Sequence, residues 1–485
     1  MNESKVFLRT VEGTGYPGSE SYFSPSTRFP EYRFDNVSKV PNPIYDGFRS
    51  LLFEMGLDLE NFGTGKWNPL GFLIGPGTKI VVKPNFVMHK NGLKGEGLDS
   101  LITNVALIRA ICDYLFIAAD GDCSIIVADA PLQNADFNSL IEASGLSGVV
   151  EFYNANGLNI VAKDLRLRIS EYSGLGVLKV LGEKELKEEA RDHTLVAVDN
   201  RSLHKTIESK CNDFRVTNYN PKTMMNHHSE GKHEYIISND ILDADLIVNV
   251  PKLKTHRKAG ITCSLKNLVG INGHKDFLPH HTKGSQIEGG DEYLAPSRLK
   301  KLTSWLIDRG NTSSTRLSKH LLAILGLLTW QFSKLFSRER YFEGSWFGND
   351  TIWRTVLDLN RILFYAQNNG QISNGRNSKK YMTIVDAVIC GEGEGPLMPK
   401  SKALNYIIAG FNPAPVDLVA SSLMGFDYMK IPTIRNSFAI RELPIVDFTP
   451  SEIEVIVDGK EVLIEELKSA HFKPASGWKG HIEKY

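Results

Sequence analysis

KIVVKPNFVMHKNGLKGEGLDSLITNVALIRAICDYLFIAADGDCSIIVAD, residues Lys79–Asp129, is the segment of this chain with the clearest secondary-structure pattern. An apolar run predicts a strand over Lys79–Val87, in which Pro84 ends the hydrogen-bonded ladder because proline has no N–H to donate. Apolar residues at helical spacing predict a helix over Leu101–Ala119, and Ser124–Asp129 predicts a second strand. This order forms a βαβ unit, which implies a parallel sheet with both faces covered.

The alternation continues along the chain, and further strands are predicted over Asn159–Lys163, Leu246–Val250, Met382–Val388, Leu404–Ala409 and Ile453–Val457. The first 75 residues are rich in Gly, Pro, Ser and Tyr, which predicts an irregular arm with one short helix over Tyr45–Leu57. From about Pro296 to Gln367 the pattern is helical. We therefore predict an α/β protein: a mainly parallel sheet with helices on both faces, plus a helical insertion and an irregular N-terminal arm.

The predicted organisation assigns residues 1–75 to the arm, 76–295 and 368–485 to the two parts of the α/β core, and 296–367 to the helical insertion. Hydrophobic residues at 42% and charged residues at 23% are ordinary for a globular protein, so neither disorder nor a fibrous repeat is indicated. The 56 basic residues balance the 56 acidic ones, which gives no global reason to expect nucleic acid or an anionic membrane as partner. Any charged ligand must meet a local excess of charge.

The cysteines are few and far apart, at positions Cys112, Cys123, Cys211, Cys263 and Cys390. They form no CxxC pair, which argues against a disulfide framework, a zinc ribbon and an intrinsic iron–sulfur cluster. Residues Met1–Thr10 lack the apolar core of a signal peptide. We therefore expect a cytoplasmic protein.

One apolar run, LLAILGLLTWQF at Leu321–Phe332, is flanked by cations, namely Arg316, Lys319, Lys334, Arg338 and Arg340. Its 12 residues are too few to span a bilayer, which needs about 20. The length predicts a buried helix within the insertion. The alternative is a helix that lies at a membrane surface, since cationic flanks around an apolar face with Trp and Phe suit that role.

The segment VPKLKTHRKAGITCSLKNLVGINGHKDFLPHHTK, Val250–Lys283, carries a strong local excess of positive charge. It holds seven Lys or Arg residues and one acid, Asp276. It also follows the carboxyl end of a predicted parallel strand, where ligands bind in open α/β sheets. We expect this segment to bind a small anionic ligand, a carboxylate or a phosphate. The alternative is a basic loop that faces solvent.

Within this segment, His256 is the candidate acid/base residue, because neighbouring cations favour a neutral imidazole. Lys266 is the second candidate catalytic residue, because a desolvated lysine near cations can lose its proton and act as a base or nucleophile. Lys254 and Asn267 are candidate ligand-binding residues. A metal ion is a further alternative, although the spacing of its candidate ligands matches no standard zinc pattern; they are His274, His280 and His281.

Polar residues at the ends of other predicted strands are further candidates. Lys83 and Asn85 could hold a carboxylate or phosphate, or simply form a turn. Asp129 could bind ligand or cap the next segment.

The loop Gly391–Pro396 carries Glu392 and Glu394, which would suit a hard cation, and a plain turn is the alternative. Asp417 lies at the start of a predicted helix, where we expect it to cap that helix.

Five motifs, in order, resemble the bacterial and archaeal family called domain of unknown function 362: KPN (Lys83–Asn85), AD.I.NVPKLKTH (Ala244–His256), SLKNL.G (Ser264–Gly270), VDA....EG.GP (Val385–Pro396) and PVD..A...MG (Pro415–Gly425). WFGNDTIWRTVLDLNRIL, Trp346–Leu363, also resembles the insertion of longer members associated with polysaccharide gene clusters. Many members carry a ferredoxin module, whereas this sequence has no CxxCxxC. The resemblance implies a polysaccharide context and no particular activity.

Residues Ala244–Ile271 are similar in layout to the lactate racemase family. That resemblance implies that His256 is an acid/base histidine and that Lys266 is a cofactor-binding lysine. His280 or His281 comes near the place of that family's nickel-ligating histidine, and its GGRK segment is SLKN here.

Two functions follow as hypotheses. The first is an enzyme that acts on a small anion by proton transfer or isomerisation, with His256 as acid/base and with Lys254 and Lys266 binding the anion or a cofactor. The alternative is a non-catalytic accessory protein of polysaccharide assembly that binds a sugar nucleotide or lipid-linked phosphate and docks on the membrane through Leu321–Phe332.

Overall fold

The computed structural model describes residues 2–13, 15–172, 180–185, 192–216, 219–336, 339 and 341–484. The strands are β1 (Lys5–Thr10), β2 (Thr78–Pro84), β3 (Cys123–Asp129), β4 (Asn159–Asp164), β5 (Arg168–Tyr172), β6 (Val180–Glu185), β7 (His193–Ala197), β8 (Phe214–Arg215), β9 (His228–Ser229), β10 (Lys232–Ser238), β11 (Leu246–Val250), β12 (Lys252–His256), β13 (Gly260–Thr262), β14 (His281–Thr282), β15 (Lys380–Glu394), β16 (Met398–Gly410), β17 (Glu454–Val457) and β18 (Lys460–Val462).

The α-helices are α1 (Pro43–Glu54), α2 (Val105–Ala118), α3 (Phe137–Ala143), α4 (Leu146–Ala155), α5 (Pro221–His227), α6 (Asn239–Asp243), α7 (Ser264–Asn267), α8 (Arg298–Thr312), α9 (Arg316–Phe336), α10 (Ile352–Tyr365), α11 (Pro413–Met424) and α12 (Pro432–Ser437). Short 3₁₀ turns connect several of them.

The main sheet has the strand order β18-β17-β1-β16-β15-β11-β2-β3-β4, and β12 and β13 extend it beside β15. The pairs β15–β11, β11–β2, β2–β3 and β3–β4 are parallel. Antiparallel pairing occurs toward the other edge, where β16 lies between β15 and β1. The prediction of an α/β fold with a mainly parallel sheet is therefore confirmed.

Helix α2 connects β2 to β3 and is buried along its whole length. It begins after Asn104, whose side chain accepts a hydrogen bond from the Ala106 N–H, so it is shorter at this end than the sequence predicted. The N-terminal arm covers its outer face. Arg109 of α2 donates to the Tyr32 hydroxyl (3.1 Å), and Tyr114 donates to Glu31 (2.9 Å).

The N-terminal arm also contains a strand that the sequence analysis missed. Residues Lys5–Thr10 form β1, which pairs antiparallel with β16 and parallel with β17. Val6 and Leu8 pack into one apolar cluster, whereas Phe7 packs into another on the opposite face of the sheet. Because both faces are covered, the strand has no polar–apolar alternation in its sequence.

The predicted insertion contains two kinds of helix. Helix α10 is buried in the apolar core, whereas α8 and α9 form a hairpin. The prediction that Leu321–Phe332 is buried is wrong, because Leu321, Ile324, Leu325, Leu328 and Phe332 are all 45% exposed or more. Arg338 and Arg340 lie outside the described residues.

The reason for this exposure is that α8 covers only the small-residue side of α9. Ala323, Gly326 and Ser333 are the buried residues of α9. A Cβ on Gly326 would lie 3.8 Å from Leu306 and Ile307 of α8, which shows how closely the two helices approach there. No helix in the described part of the chain is both long enough and apolar enough to cross a bilayer.

Candidate functional site

A cavity of about 300 Å³ lies where strands β2 and β3 end, between them and the segment that follows β11. Its wall includes Asn85, just after β2, and Asp129, the last residue of β3. Parallel sheets commonly bind ligands at the carboxyl ends of their strands. The acidic, basic and histidine residues that line the cavity are Asp129, Lys254, His256, Arg257, Lys258, Lys266, Lys275 and His280. His256 and Lys266 therefore face the same space.

The charge of this wall is strongly unbalanced. Asp129 is the one acidic side chain among the lining residues that the structure describes. Its carboxylate lies 2.7 Å from the Lys83 ammonium and accepts a hydrogen bond from the Phe86 N–H (2.6 Å). Because Lys83 already balances Asp129, the cations of the wall have no counter-charge within it. Such a cavity attracts anions.

His256 is held in one orientation by the backbone that follows it. Its Nδ1 accepts hydrogen bonds from the N–H groups of Lys258 and Ala259, both at 3.1 Å. Burial and the nearby Lys266 lower the pKa of His256 well below its usual range, so the ring is neutral. A neutral ring that accepts at Nδ1 carries its proton on Nε2. This geometry favours a hydrogen-bond donor over the base that the sequence suggested.

Lys266 lies on α7 and lines the cavity, and its side chain has no hydrogen-bond or ion-pair partner among the described residues. Burial, with Lys275 and Lys83 nearby, lowers its pKa to about 7. A large fraction of Lys266 is therefore an uncharged amine near neutral pH, a form that can accept a proton or attack an electrophile.

Arg257, Lys258 and Lys275 were counted in the basic segment but not singled out by the sequence analysis. The Arg257 guanidinium has no partner among the described residues. Lys258 donates to the Glu343 carbonyl (2.5 Å), and Lys275 donates to the Ala130 carbonyl (2.8 Å). Burial lowers the pKa of both lysines to about 8. The adjacency of Arg257 and Lys258 to His256 was the available sequence signal.

Asp417 positions α7 from a distance in sequence. Its carboxylate accepts hydrogen bonds from the N–H groups of Ser264 (2.6 Å) and Leu265 (3.1 Å), the first residues of α7. The prediction that Asp417 caps its own helix is wrong, because Asn412 accepts from Ala414 at the start of α11. Asp417 lies further inside that helix and reaches across to another one.

Two further lysines of the basic segment have hydrogen-bond or ion-pair partners within the protein. Lys254 lines the cavity, but its Nζ donates to the Leu101 carbonyl, and burial holds the pKa of this ammonium well below its usual range. Lys252 is fully buried, 2.6 Å from the Asp386 carboxylate and 2.7 Å from the Tyr16 hydroxyl. The Lys252–Asp386 ion pair joins β12 to β15, and the Tyr16 hydroxyl links the N-terminal arm to it. The sequence analysis did not foresee these contacts.

The two candidate asparagines line the cavity and brace it. Asn267 Oδ1 accepts from Asn85 Nδ2 (2.9 Å), and Asn267 Nδ2 donates to the Lys83 carbonyl (3.1 Å) and to Asn249 Oδ1 (2.8 Å). Asn85 Oδ1 is buried and has no partner in the described part of the molecule. It is an acceptor that a ligand hydroxyl could satisfy.

Glu392 and Glu394 lie outside the cavity wall. Glu392 accepts from the Lys473 N–H (3.0 Å), and Glu394 accepts from the Ser476 N–H (2.7 Å). Both glutamates therefore hold the C-terminal segment against the loop.

The candidate metal ligands do not all line the cavity. His280 lines the cavity, whereas His274 and His281 do not. His274 Nδ1 accepts from the Asp276 N–H (3.2 Å), and His281 Nε2 lies 4.0 Å from a Glu292 oxygen. Among the described residues, no group of three or more His, Cys, Asp or Glu side chains is arranged to hold a metal ion.

Comparison with known protein families finds a match for this chain. Residues 180–422, just over half of the 485-residue chain, match the family model described as Domain of unknown function (DUF362). No curated protein matches the chain. The similarity in layout to the lactate racemase family is not shown by these comparisons. The matched range includes the cavity-lining residues from Lys254 to His280.

Proposed function

Since the chain belongs to the DUF362 family, whose description assigns no activity, we propose its function from the cavity itself. We propose an enzyme that binds a small carboxylate- or phosphate-bearing molecule and catalyses proton transfer or isomerisation on it. One observation carries this proposal: the cavity has an excess of cations, and two of them, Arg257 and Lys266, have no partner among the described residues.

The charged groups and hydrogen-bond donors of the cavity wall would bind the anion. The Arg257 guanidinium can bind a carboxylate or phosphate through two parallel N–H···O bonds. Lys258 and Lys275 lie in the same wall, and their pKa values of about 8 leave them mostly charged at neutral pH. His256 would add a neutral donor, the Nε2–H group, to the same anion.

Proton transfer falls to Lys266. A general base works best when its pKa lies near the operating pH, and the pKa of Lys266 is about 7. On a carboxylate-bearing substrate, the neutral Lys266 amine would remove a proton from the carbon beside the bound anion and later return it. Anion binding at Arg257 keeps the developing negative charge next to fixed cations, which stabilises it.

The proposal is tested by calorimetric titration of the full chain with inorganic phosphate and with small carboxylates such as pyruvate and lactate. We expect at least one of them to bind, with affinity reduced roughly tenfold or more in Arg257→Gln, because a charged hydrogen bond contributes about 1.5–3 kcal/mol. Lys479→Met is the matched control, since Lys479 is exposed and does not line the cavity. Equal affinity in Arg257→Gln and the control would contradict the proposal.

The exposed apolar helix α9 favours a second candidate, a non-catalytic accessory protein of polysaccharide biosynthesis that binds a sugar nucleotide or lipid-linked phosphate in the same cavity. The two candidate functions predict different effects of a substitution at Lys266. Lys266→Arg keeps the positive charge but cannot act as a base near neutral pH. An enzyme would lose turnover in this variant, whereas an accessory protein would keep both anion binding and its cellular role.

A further inference from the structure

Helix α9 presents an apolar stripe to solvent. Its exposed large apolar side chains are between 45% and 80% exposed: Leu317, Leu321, Ile324, Leu325, Leu328, Phe332, Leu335 and Phe336. At about 100° per residue these positions fall within an arc of about 120° on one side of the helix. The neighbouring α8 adds Leu302 and Trp305, which are 43% and 46% exposed.

A continuous stripe of this kind indicates a partner. Soluble monomers rarely expose contiguous apolar patches larger than a few hundred Å² unless they bind something there. The buried side of α9 is already used by α8, where Thr303 donates to Thr329 (2.8 Å). The stripe is thus the side of α9 that remains for another surface.

The charge around the stripe selects one kind of partner. Between Arg316 and Phe336 the sequence holds Arg316, Lys319 and Lys334 and no acidic residue. In α8 the acid Asp308 is ion-paired with Arg215 (2.9 Å) and Lys283 (2.7 Å) of the core. These cations lie on the polar side of α9, and an amphipathic helix with a cationic polar side, whose local acid is already paired, complements an anionic lipid surface.

We propose that α9 docks on the surface of an anionic lipid bilayer, lying in the plane of the interface with its apolar stripe among the lipids. The helix has 21 residues and is therefore about 32 Å long, which suits contact along its length. Trp305 has the amphipathic ring that is enriched at membrane interfaces.

The anchoring of α8 connects this surface to the cavity. Arg215, which holds Asp308, directly precedes Val216 in the cavity wall, and Lys283 lies three residues after His280, also in the wall. The hairpin is therefore attached to two segments that also contribute residues to the cavity wall.

Sedimentation of the full chain with lipid vesicles tests the proposal. We expect binding at low salt to vesicles of phosphatidylcholine containing phosphatidylglycerol, and loss of most of it in Leu325→Glu and Leu328→Glu. The control is Leu59→Glu, because Leu59 is 52% exposed and does not belong to the hairpin. All three positions are exposed, so the thermal unfolding temperature should be unchanged.

The charge contribution is tested separately with Lys319→Gln and Lys334→Gln. Each should weaken binding to the anionic vesicles roughly fivefold, since one cation near an anionic surface contributes about 1 kcal/mol.

Two results would overturn the proposal. One is the absence of sedimentation at low salt. The other is a dimer in solution that Leu325→Glu dissociates while vesicle binding is unchanged, because a second copy of the chain would then cover the stripe.

Discussion

Lys252 and Lys266 show how neighbours decide what a lysine does. Both belong to the same basic segment and count equally in its charge. Lys252 lies 2.6 Å from the Asp386 carboxylate and forms a structural ion pair with it. Lys266 is buried beside cations, and its side chain has no partner among the described residues, so its pKa falls to about 7. The same side-chain type is thus a structural ion-pair partner at one position and a candidate base at the other.

At this scale we predict that sulfate affinity falls as pH rises from about 6 to about 9. The folded pKa of Lys266 is about 7 and those of Lys258 and Lys275 are about 8, so all three are protonated below this range and lose their charge across it. Sulfate keeps its charge over this range. Calorimetry should show at least a roughly tenfold weakening, because one pKa unit corresponds to about 1.4 kcal/mol.

Lys266→Met should flatten the part of this profile near pH 7, and Lys479→Met should leave it unchanged. A sulfate affinity that is constant over the whole range would contradict the assigned pKa values.

At the scale of elements, α7 depends on α11. Helix α7 has only four residues, and the Asp417 carboxylate of α11 accepts hydrogen bonds from the N–H groups of its first two residues. The motif that contains Asp417 and the motif that contains Lys266 are about 150 residues apart in sequence and meet here. Asp417 is therefore a positioning residue for Lys266.

We predict that Asp417→Ala lowers both the stability of the fold and the affinity for phosphate. Loss of a helix cap costs about 1–2 kcal/mol, and Lys266 should move when α7 loses its anchor. Asn412→Ala is the matched control, because it removes the cap of α11 without reaching α7. Denaturant unfolding and calorimetry should separate the two variants: both lose stability, and only Asp417→Ala loses phosphate affinity. Equal phosphate affinities would refute the positioning role.

At the scale of the whole molecule, many histidines are buried or partly buried in neutral form, with pKa values lowered mainly by loss of solvation: His204, His228, His233, His256, His274, His280 and His281. For His228 and His274 the pKa falls to about 3. In the unfolded chain these histidines become protonated near pH 6.5, so as pH falls the unfolded state binds protons before the folded state does. Stability contributed by these residues is present above pH 6.5 and is lost below it.

His228 provides the test, because its Nε2 contacts the Phe277 carbonyl at 2.9 Å and it is fully buried. Between about pH 7.5 and about pH 5, the wild type should lose roughly 2 kcal/mol more unfolding free energy than His228→Phe. Glu292, whose burial raises its pKa to about 8, acts in the opposite direction, but it is present in both proteins. Parallel pH profiles of the two proteins in urea unfolding would rule out this role for His228.

The sequence by itself determined the α/β class and most strands of the main sheet, because apolar runs and helical spacing are local properties of the chain. Leu246–Val250 has the predicted bounds, and Pro84 ends β2 as expected. The sequence also showed that the excess of cations follows a buried strand. The order of the elements places this segment at the carboxyl ends of the parallel strands. Strand β1 was not predicted, because a strand covered on both faces shows no alternation of polar and apolar residues.

Only the tertiary structure decided which groups are paired and which faces are covered. Asp386, distant in sequence, neutralises Lys252, and the Tyr16 hydroxyl accepts a hydrogen bond from it, whereas nothing in the described residues neutralises Lys266. The apolar run of α9 looked like core, yet α8 covers only its small residues. Burial and counter-charge depend on residues far apart along the chain, so no local pattern specifies them.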